Sequence, residues 1–216
     1  ILVKVATSFT SIDNARKNLA AEIPGWNFNE VRQASSDIWN QALGQIAVKG
    51  NNEKEMVKFY SALYNAHFLP RTFSDVDGSY PRFDGDGQIM KMDHGTYYCD
   101  FSQWDTYRAV HPLFSILTPS RNGDMAHSLV LKGQQGGWLP IFPSWNSYTA
   151  AMIGDHCIAM IGDAIVKDTP GFDYEEAYTL MRKNAFEANP DSGSYRDGKG
   201  RRAMAVSSTH LRAHET

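Results

Sequence analysis

The sequence predicts an all-α fold in which helices form two concentric layers, an α/α toroid. Residues 152–166 are apolar on every side of a helix, which places that segment in a core. Residues 173–188 set apolar against charged side chains at helical spacing, which is typical of a surface helix. Long connections separate these segments, whereas an ordinary helical bundle has short ones. Buried and amphipathic helices that alternate in this way favour the toroid.

The N-terminal part contains one strand pattern followed by three helix patterns. Residues 1–10 carry β-branched side chains with partial alternation and predict a strand whose partners lie outside this sequence. Apolar spacing then predicts helices within residues 11–24, 28–48 and 51–70. The last of these is apolar around much of its circumference, so we expect it to be buried.

Residues 70–100 are dense in Pro, Gly and Asp, which excludes a long helix and predicts a long, ordered, functional excursion. Its two Asp- and Gly-rich stretches, 75–78 and 84–87, resemble calcium loops. Neither has Gly at the sixth position or Glu at the twelfth, as an EF-hand requires. We therefore interpret their aspartates as turn formers, with the alternative that one of them faces a site where another group pairs with it.

Helical spacing resumes after Ser102, and Pro112 is expected to kink or split that segment. A short helix is predicted over residues 125–132, ended by Gly136 and its neighbouring glycine. Residues 205–216 have no apolar face to bury and predict a disordered or unrelated tail. His210 and His214 in that tail have the spacing of a metal pair but no acidic companion apart from Glu215, so we assign no metal to them.

Composition excludes several classes of function. The 216 residues carry 21 basic and 24 acidic side chains, a formal charge of -3, which gives no electrostatic footprint for nucleic acid. No window approaches the roughly 18 apolar residues that a membrane span needs. Cys99 and Cys157 are too far apart for a C-x-x-C pair and are expected to be buried free thiols. Nucleotide-binding, zinc-protease and serine-hydrolase motifs are absent from the sequence.

The strongest cluster of candidate functional residues is Trp104, Asp105, Arg108 and His111. On one helix, Trp104, Arg108 and His111 share a face. An indole can stack on the apolar face of a pyranose while Asp105 and Arg108 hydrogen-bond its hydroxyls in a pocket lined by His111. The alternative is structural: a core tryptophan beside an Asp105–Arg108 pair that ties the helix.

A second cluster, Gly154-Asp155-His156, begins the apolar helix. Asp155 is expected to cap that helix and interact with its dipole. His156 fits equally a site residue and a core residue. Asp163 on the same helix must be paired or hydrated, either as a structural residue or as a lining of a site.

Five blocks of the sequence carry a resemblance to a known family. They are SFTSIDNARKNLAAEIPGWNF, FYSALYNAHFLPRTFSDVDGSYPRFDG, FSQWDTYRAVHPLFSILTP, GGWLPIFPSW and MIGDHCIAMIGDAIVKD. In this order, over roughly residues 1–188, they resemble the calcium-dependent exo-α-mannosidases of glycoside hydrolase family 92.

The resemblance implies a fold of which this chain holds only part. Family members join an N-terminal β-sandwich to an (α/α)6 catalytic domain. Residues 1–10 are then the end of the sandwich or its linker, and residues 11–204 are part of the (α/α)6 domain. Residues 205–216 are an unrelated tail. The missing sandwich and the rest of the toroid are the implied intramolecular partners.

The resemblance also implies a set of site residues. The family's W-D motif maps onto Trp104 and Asp105, and Arg108 lies in the same block. The M-I-G-x-H block maps onto residues 152–156, which favours His156 and places Asp155 at a variable position. With His111, these form the expected substrate-binding set. The cofactor is Ca2+, with no ligands assigned here, and the catalytic acid and base lie in downstream motifs that this chain lacks.

We therefore expect a fragment of a secreted or periplasmic, inverting exo-α-mannosidase that releases mannose from N-glycan or mannan chains. The isolated fragment should be inactive. It should also be marginally stable, with exposed apolar surface, because an incomplete toroid leaves helix faces without partners. The alternatives are a non-catalytic carbohydrate-binding helical domain and a structural helical domain in which Trp104 only packs.

Overall fold

A computed structural model describes residues 1–85, 87–149, 151–152 and 154–187, and its main elements are helices, as predicted. The helices are α1 (Ile12–Glu22), α2 (Phe28–Leu43), α3 (Glu53–Ala66), α4 (Gln103–Thr106), α5 (Val110–Leu117), α6 (Pro119–Gly136), α7 (His156–Val166) and α8 (Tyr174–Phe186). Four short strands lie between α3 and α4: β1 (Arg71–Thr72), β2 (Ser79–Pro81), β3 (Ile89–Lys91) and β4 (Tyr98–Cys99). The described residues do not include the predicted tail (205–216) or the last part, from residue 188, of the domain predicted over residues 11–204.

The main core lies between α5, α6, α7 and α8. Phe114 of α5, Leu129 of α6 and Ile161 of α7 meet there with little or no exposed surface. Helix α8 closes the layer with Ala177 and Leu180 and turns its charged side to solvent, as its amphipathic pattern predicts. Helix α7 buries one face, formed by Cys157, Met160, Ile161 and Ala164, whereas Ala159 and Val166 are exposed, so the prediction of a helix in the core holds for that face only.

The excursion over residues 70–100 contains two small antiparallel sheets. Strand β1 pairs with β4 so that Arg71 lies opposite Cys99, and β2 pairs with β3 so that Tyr80 lies opposite Met90. The rings of Tyr80 and Tyr97 stack with centroids 4.0 Å apart and form a separate small core. The prediction of an ordered excursion without a long helix is therefore confirmed.

Helix α3 is not buried, which corrects the sequence prediction. Leu63 is its one buried residue, and α2 has none. The two helices pack mainly against each other, with Trp39 and Tyr64 at a centroid distance of 4.3 Å. A helix that is apolar around most of its circumference needs neighbours on several sides, and the described residues supply α3 with few.

The N-terminal segment, predicted as a strand whose partners lie outside this sequence, pairs with no described residue, so that expectation stays a prediction. Residues 1–8 belong to no helix or strand. A strand requires a hydrogen-bonded partner, and none of the described residues provides one. The segment is held instead by side chains, because Ser8 and Thr10 donate hydrogen bonds to the buried carboxylate of Asp75.

Two helix boundaries differ from those predicted. The segment after Ser102 does split, but between α4 and α5 rather than at Pro112. Pro112 lies in the first turn of α5, where its missing N–H costs no helical hydrogen bond. Helix α6 begins at Pro119 instead of residue 125 and ends as predicted, with Gly137 in the left-handed region at φ +86°.

Candidate functional site

The turn that leads from β4 into α4 is anchored by Asp100. This buried residue has φ +60°, an uncommon conformation for a side chain other than Gly or Asn. Its carboxylate accepts hydrogen bonds from Arg71 Nε, from Ser144 Oγ and from the Trp145 amide at 2.8 Å. These hydrogen bonds therefore fix the backbone just before the segment that carries Trp104.

Four side chains from two helices and the turn after α4 form what we call the aromatic cluster: Trp104, Tyr107, Arg108 and His156. The imidazole of His156 stacks on the Tyr107 ring with centroids 4.4 Å apart and meets the Trp104 ring at 5.1 Å. The guanidinium of Arg108 lies 4.7 Å from the Trp104 ring and 5.1 Å from the Tyr107 ring. The structure thus brings three of the predicted site residues together and adds Tyr107.

Asp105 lies beside this cluster with its carboxylate exposed. It accepts a hydrogen bond from Ser102 Oγ at the start of α4. Among the ion pairs of the described residues, Asp105 and Arg108 form none, so the alternative of a structural Asp105–Arg108 pair is wrong. Asp105 and Arg108 are both exposed, and Arg108 is held over the Trp104 and Tyr107 rings.

His111 does not join the cluster, which corrects the expectation of one shared helix face. The break between α4 and α5 turns its ring into the core, where 1% of its surface is exposed. It lies between Phe101 and Phe114, with its Nδ1 3.3 Å from Asn122 Oδ1. Burial lowers the pKa of His111 to about 4, so the imidazole is neutral at physiological pH. Its placement argues against direct contact with a ligand.

The segment before α7 positions His156 through a glycine. Gly154 has φ +89°, and a Cβ added there would lie 2.4 Å from His156 Nε2. Asp155 occupies the N-cap position, but its carboxylate bonds to none of the first-turn amides, so the expected capping role is wrong. Both carboxylate oxygens are buried, and burial raises the pKa of Asp155 to about 7 against the opposing effect of the nearby Asn184 amide.

Asp163, left open by the sequence, forms an ion pair with Lys167 at 2.7 Å across one turn of α7. Both side chains are partly exposed, as is common for surface pairs on helices. Asp163 therefore has a structural partner in Lys167.

Sequence reasoning missed Tyr107 and Trp145. Tyr107 lies in the block FSQWDTYRAVHPLFSILTP, but the sequence pattern alone suggests no role for it. Trp145 is 70% exposed, has φ +52°, and its ring lies 4.9 Å from the guanidinium of Arg71. A tryptophan flanked by the turn formers Pro, Ser and Asn was the available signal, because loops run over the protein surface.

The described side chains do not fit a calcium ion. Calcium prefers six to eight oxygen ligands. The one group of three potential ligands that meets metal geometry in the described part of the chain is Asp93, His94 and His127, of which two offer nitrogen. The buried carboxylates of Asp75 and Asp100 are already occupied by hydrogen-bond donors. The expectation of Ca2+ therefore stays a prediction about the whole protein, and no step below depends on it.

Comparison with known proteins gives the family. The catalytic domain of glycosyl hydrolase family 92 matches residues 14–210. The chain belongs to glycoside hydrolase family 92. This match extends past residue 205, where the sequence analysis places the start of an unrelated tail. The position at which that tail begins therefore stays a prediction.

Solved family 92 structures resemble this segment in fold. A family 92 α-mannosidase from Bacteroides thetaiotaomicron is 36% identical with a TM-score of 0.78 over 88% of this chain, and it has also been solved in complex with mannoimidazole. A family 92 inverting mannosidase from the same organism is 27% identical, with a TM-score of 0.78 over 87% of this chain. These matches support an α/α-type family 92 fragment.

The family 92 segment covers only part of its relatives. It spans 26% and 25% of the two Bacteroides chains. A curated relative from Arthroderma benhamiae, described as an uncharacterized secreted glycosidase, is 26% identical over 88% of this chain, which covers 21% of that protein. No helix in the described ranges is both long and apolar enough to cross a bilayer.

Proposed function

We propose that this chain forms one wall of the mannose-binding pocket of an inverting exo-α-mannosidase, which releases mannose from N-glycan or mannan chains outside the cytoplasm. The observation that carries the proposal is the aromatic cluster, together with the exposed Asp105 that follows Trp104 on α4. Membership of family 92 makes an α-mannoside the substrate class to test first. The relative described as secreted supports the location.

The chemistry of the cluster suits a pyranose. The indole of Trp104 offers an apolar face for the C–H groups of one side of the sugar ring. Asp105 accepts from sugar hydroxyls, and Arg108 donates to them while its own position is held by two rings. His156, wedged against Trp104 and Tyr107, keeps the indole from turning.

Hydrolysis with inversion needs a carboxylic acid and a carboxylate base roughly 6.5 to 9.5 Å apart. Near the cluster, Asp105 is exposed, whereas Asp155 is buried and turned away from solvent. We assign the acid and base to the remainder of the parent protein. The isolated chain is then inactive but keeps part of the sugar-binding surface.

The direct test uses the parent protein, expressed with its flanking regions, and measures kcat/KM on p-nitrophenyl α-mannoside. Trp104→Ala and Asp105→Ala should each lower kcat/KM by about ten- to a hundred-fold. Trp26→Ala is the matched control, because Trp26 is an exposed indole under Lys4 outside the cluster. Equal, small effects of Trp104→Ala and Trp26→Ala would contradict the proposal.

A second test uses the 216-residue chain itself with mannoimidazole and methyl α-mannoside. No release of p-nitrophenol is expected, with at most weak binding that Trp104→Ala abolishes. Strong mannoside binding by a stable chain without hydrolysis would favour the alternative of a carbohydrate-binding helical domain. Loss of stability in Trp104→Ala with no effect on ligand would favour the structural alternative.

A further inference from the structure

Three side chains that can bind a metal ion meet at the surface away from the aromatic cluster's residues. Asp93 and His94 lie in the loop after β3, and His127 lies on α6. One ligand atom from each lies within 4.8 Å of the others. The three belong to two separate segments, so the fold rather than the sequence spacing brings them together.

Both ring nitrogens of His94 face an oxygen atom. Its Nε2 lies 3.1 Å from the backbone carbonyl of Gly171, which requires a proton on Nε2. Its Nδ1 then faces Asp93 Oδ1 at 3.0 Å. If Nδ1 carries no proton, a lone pair and a carboxylate oxygen face each other, and a proton or a cation between them removes the repulsion. A backbone carbonyl on the second ring nitrogen is also the usual partner of a metal-binding histidine.

His127 supplies a further unused nitrogen. Its Nδ1 is buried and has no hydrogen-bond partner. Its ring stacks on His94 with centroids 4.7 Å apart and planes 20° apart. Asp124, one turn earlier on α6, accepts from the Thr96 amide at 3.0 Å and adds negative charge to the same corner. An orphan imidazole nitrogen beside two carboxylates is an arrangement that a divalent cation stabilises.

We propose that Asp93, His94 and His127 bind a borderline transition-metal ion, with Zn2+ as the representative. Two imidazoles and one carboxylate suit zinc, with water completing a tetrahedron, and they do not suit calcium. Tetrahedral zinc holds its ligand atoms about 3.3 Å apart, so a separation of 4.8 Å must shorten by about 1.5 Å for closure. Asp93 and His94 are exposed side chains on a loop and can make this movement.

The site would be structural. A metal ion there joins the loop after β3 to α6, and His94 extends the connection to the loop before α8 through Gly171. It would therefore hold the excursion of residues 70–100 against the core layer of helices. This role does not depend on the mannosidase proposal.

The test is a zinc titration of the full chain after removal of metals with a chelator, followed by calorimetry and thermal melting. We expect one zinc ion per chain and a higher melting temperature with zinc. His94→Ala and Asp93→Asn should each weaken the affinity by about tenfold or more. Both side chains are largely exposed, so neither change removes core packing.

The histidines of the C-terminal segment are the necessary control. His210→Ala/His214→Ala should keep the affinity, stoichiometry and thermal shift of the unchanged chain. Loss of zinc binding in that double variant, with none in His94→Ala, would assign the ion to the tail and overturn the proposal. Absence of zinc binding, or equal affinity in His94→Ala and the unchanged chain, would overturn it as well.

Discussion

The imidazole of His156 and the phenol ring of Tyr107 stack with centroids 4.4 Å apart and planes 15° apart. This contact joins the start of α7 to the turn after α4 and sets the angle of the Trp104 indole, which leans on the same imidazole. The candidate sugar-binding surface thus depends on contacts between distant segments. Changes to α7 that leave Trp104 and Asp105 untouched should still alter binding.

Gly154→Ala tests that dependence. The new Cβ would lie 2.4 Å from His156 Nε2, and φ +89° is strained for alanine, so the imidazole must shift from its present position on the Tyr107 ring. In the parent protein we expect kcat/KM on an α-mannoside to fall by about tenfold or more. Gly50→Ala is the control, because its Cβ would meet nothing within 4 Å. Unchanged kinetics in Gly154→Ala would separate His156 from the site.

Asp75 should be a main anchor of α1. Its carboxylate accepts from Ser8, Thr10, Asn14 and Asn18. Asp75→Asn leaves one oxygen for these donors and turns an N–H2 toward them, so the free energy of unfolding should fall by about 1–3 kcal/mol. Hydrogen exchange of the α1 amides should accelerate more than that of α6.

The control for this anchor is Asp13→Asn on the same helix, whose exposed pair with Arg16 should change stability by less than about 1 kcal/mol. Burial raises the pKa of Asp75, but hydrogen bonds from Thr10, Asn18 and their neighbours outweigh it and lower the pKa overall. The carboxylate's contribution should therefore be present near neutral pH and be lost in acid, as the pH falls through the lowered pKa. Identical acid unfolding of Asp75→Asn and the unchanged chain would refute this.

Lys132 is a fully buried lysine whose ammonium lies 3.6 Å from the centre of the Tyr97 ring and donates to the Tyr98 carbonyl at 2.7 Å. Burial lowers its pKa from 10.5 to about 8. Between these two values the unfolded chain binds the proton and the folded chain does not, so this group makes the free energy of unfolding rise with pH. The destabilisation that comes from burying the charged Lys132 ammonium is greatest below the lowered pKa.

Lys132→Met keeps the volume and removes that titration. The stability of the unchanged chain relative to Lys132→Met should rise by roughly 2 kcal/mol from about pH 7 to about pH 10, measured by urea unfolding. Both proteins contain the same buried thiols and tyrosines, whose raised pKa values make stability fall with pH. Their contributions to the free energy of unfolding cancel in this difference. Lys58→Met, at an exposed lysine paired with Glu55, is the matched surface substitution and should change the free energy of unfolding by less than about 1 kcal/mol. A flat difference for Lys132→Met would show that the folded chain keeps the proton.

The isolated chain should bind a hydrophobic dye such as ANS while folded. Ile38 of α2 is 67% exposed and Val57 of α3 is 59% exposed, which is unusual for two neighbouring helices. Ile38→Lys and Val57→Lys should reduce the dye fluorescence without lowering the melting temperature. A cooperative melt of the unchanged chain with no dye uptake would count against an unpartnered face.

Local patterns predicted much of the helical layout. Helices α1, α7 and α8 were predicted because caps, breakers and apolar spacing act within a few residues of one another. The burial of α3 was predicted wrongly. Apolar residues around a helix show which faces it could bury, but they do not show whether a neighbouring element is there to cover them. The break before α5 was also placed wrongly, because Pro112 is compatible with a first helical turn.

The sequence by itself determined the fold class, the family and the segment that carries Trp104, Asp105 and Arg108, because these depend on residue types and their order. Only the tertiary structure decided that His111 turns into the core, that His156 and Tyr107 complete the aromatic cluster, and that His94 meets His127. Such contacts join residues far apart in the chain. Their geometry follows from how α4, α6 and α7 pack, and short-range spacing carries no information about that packing.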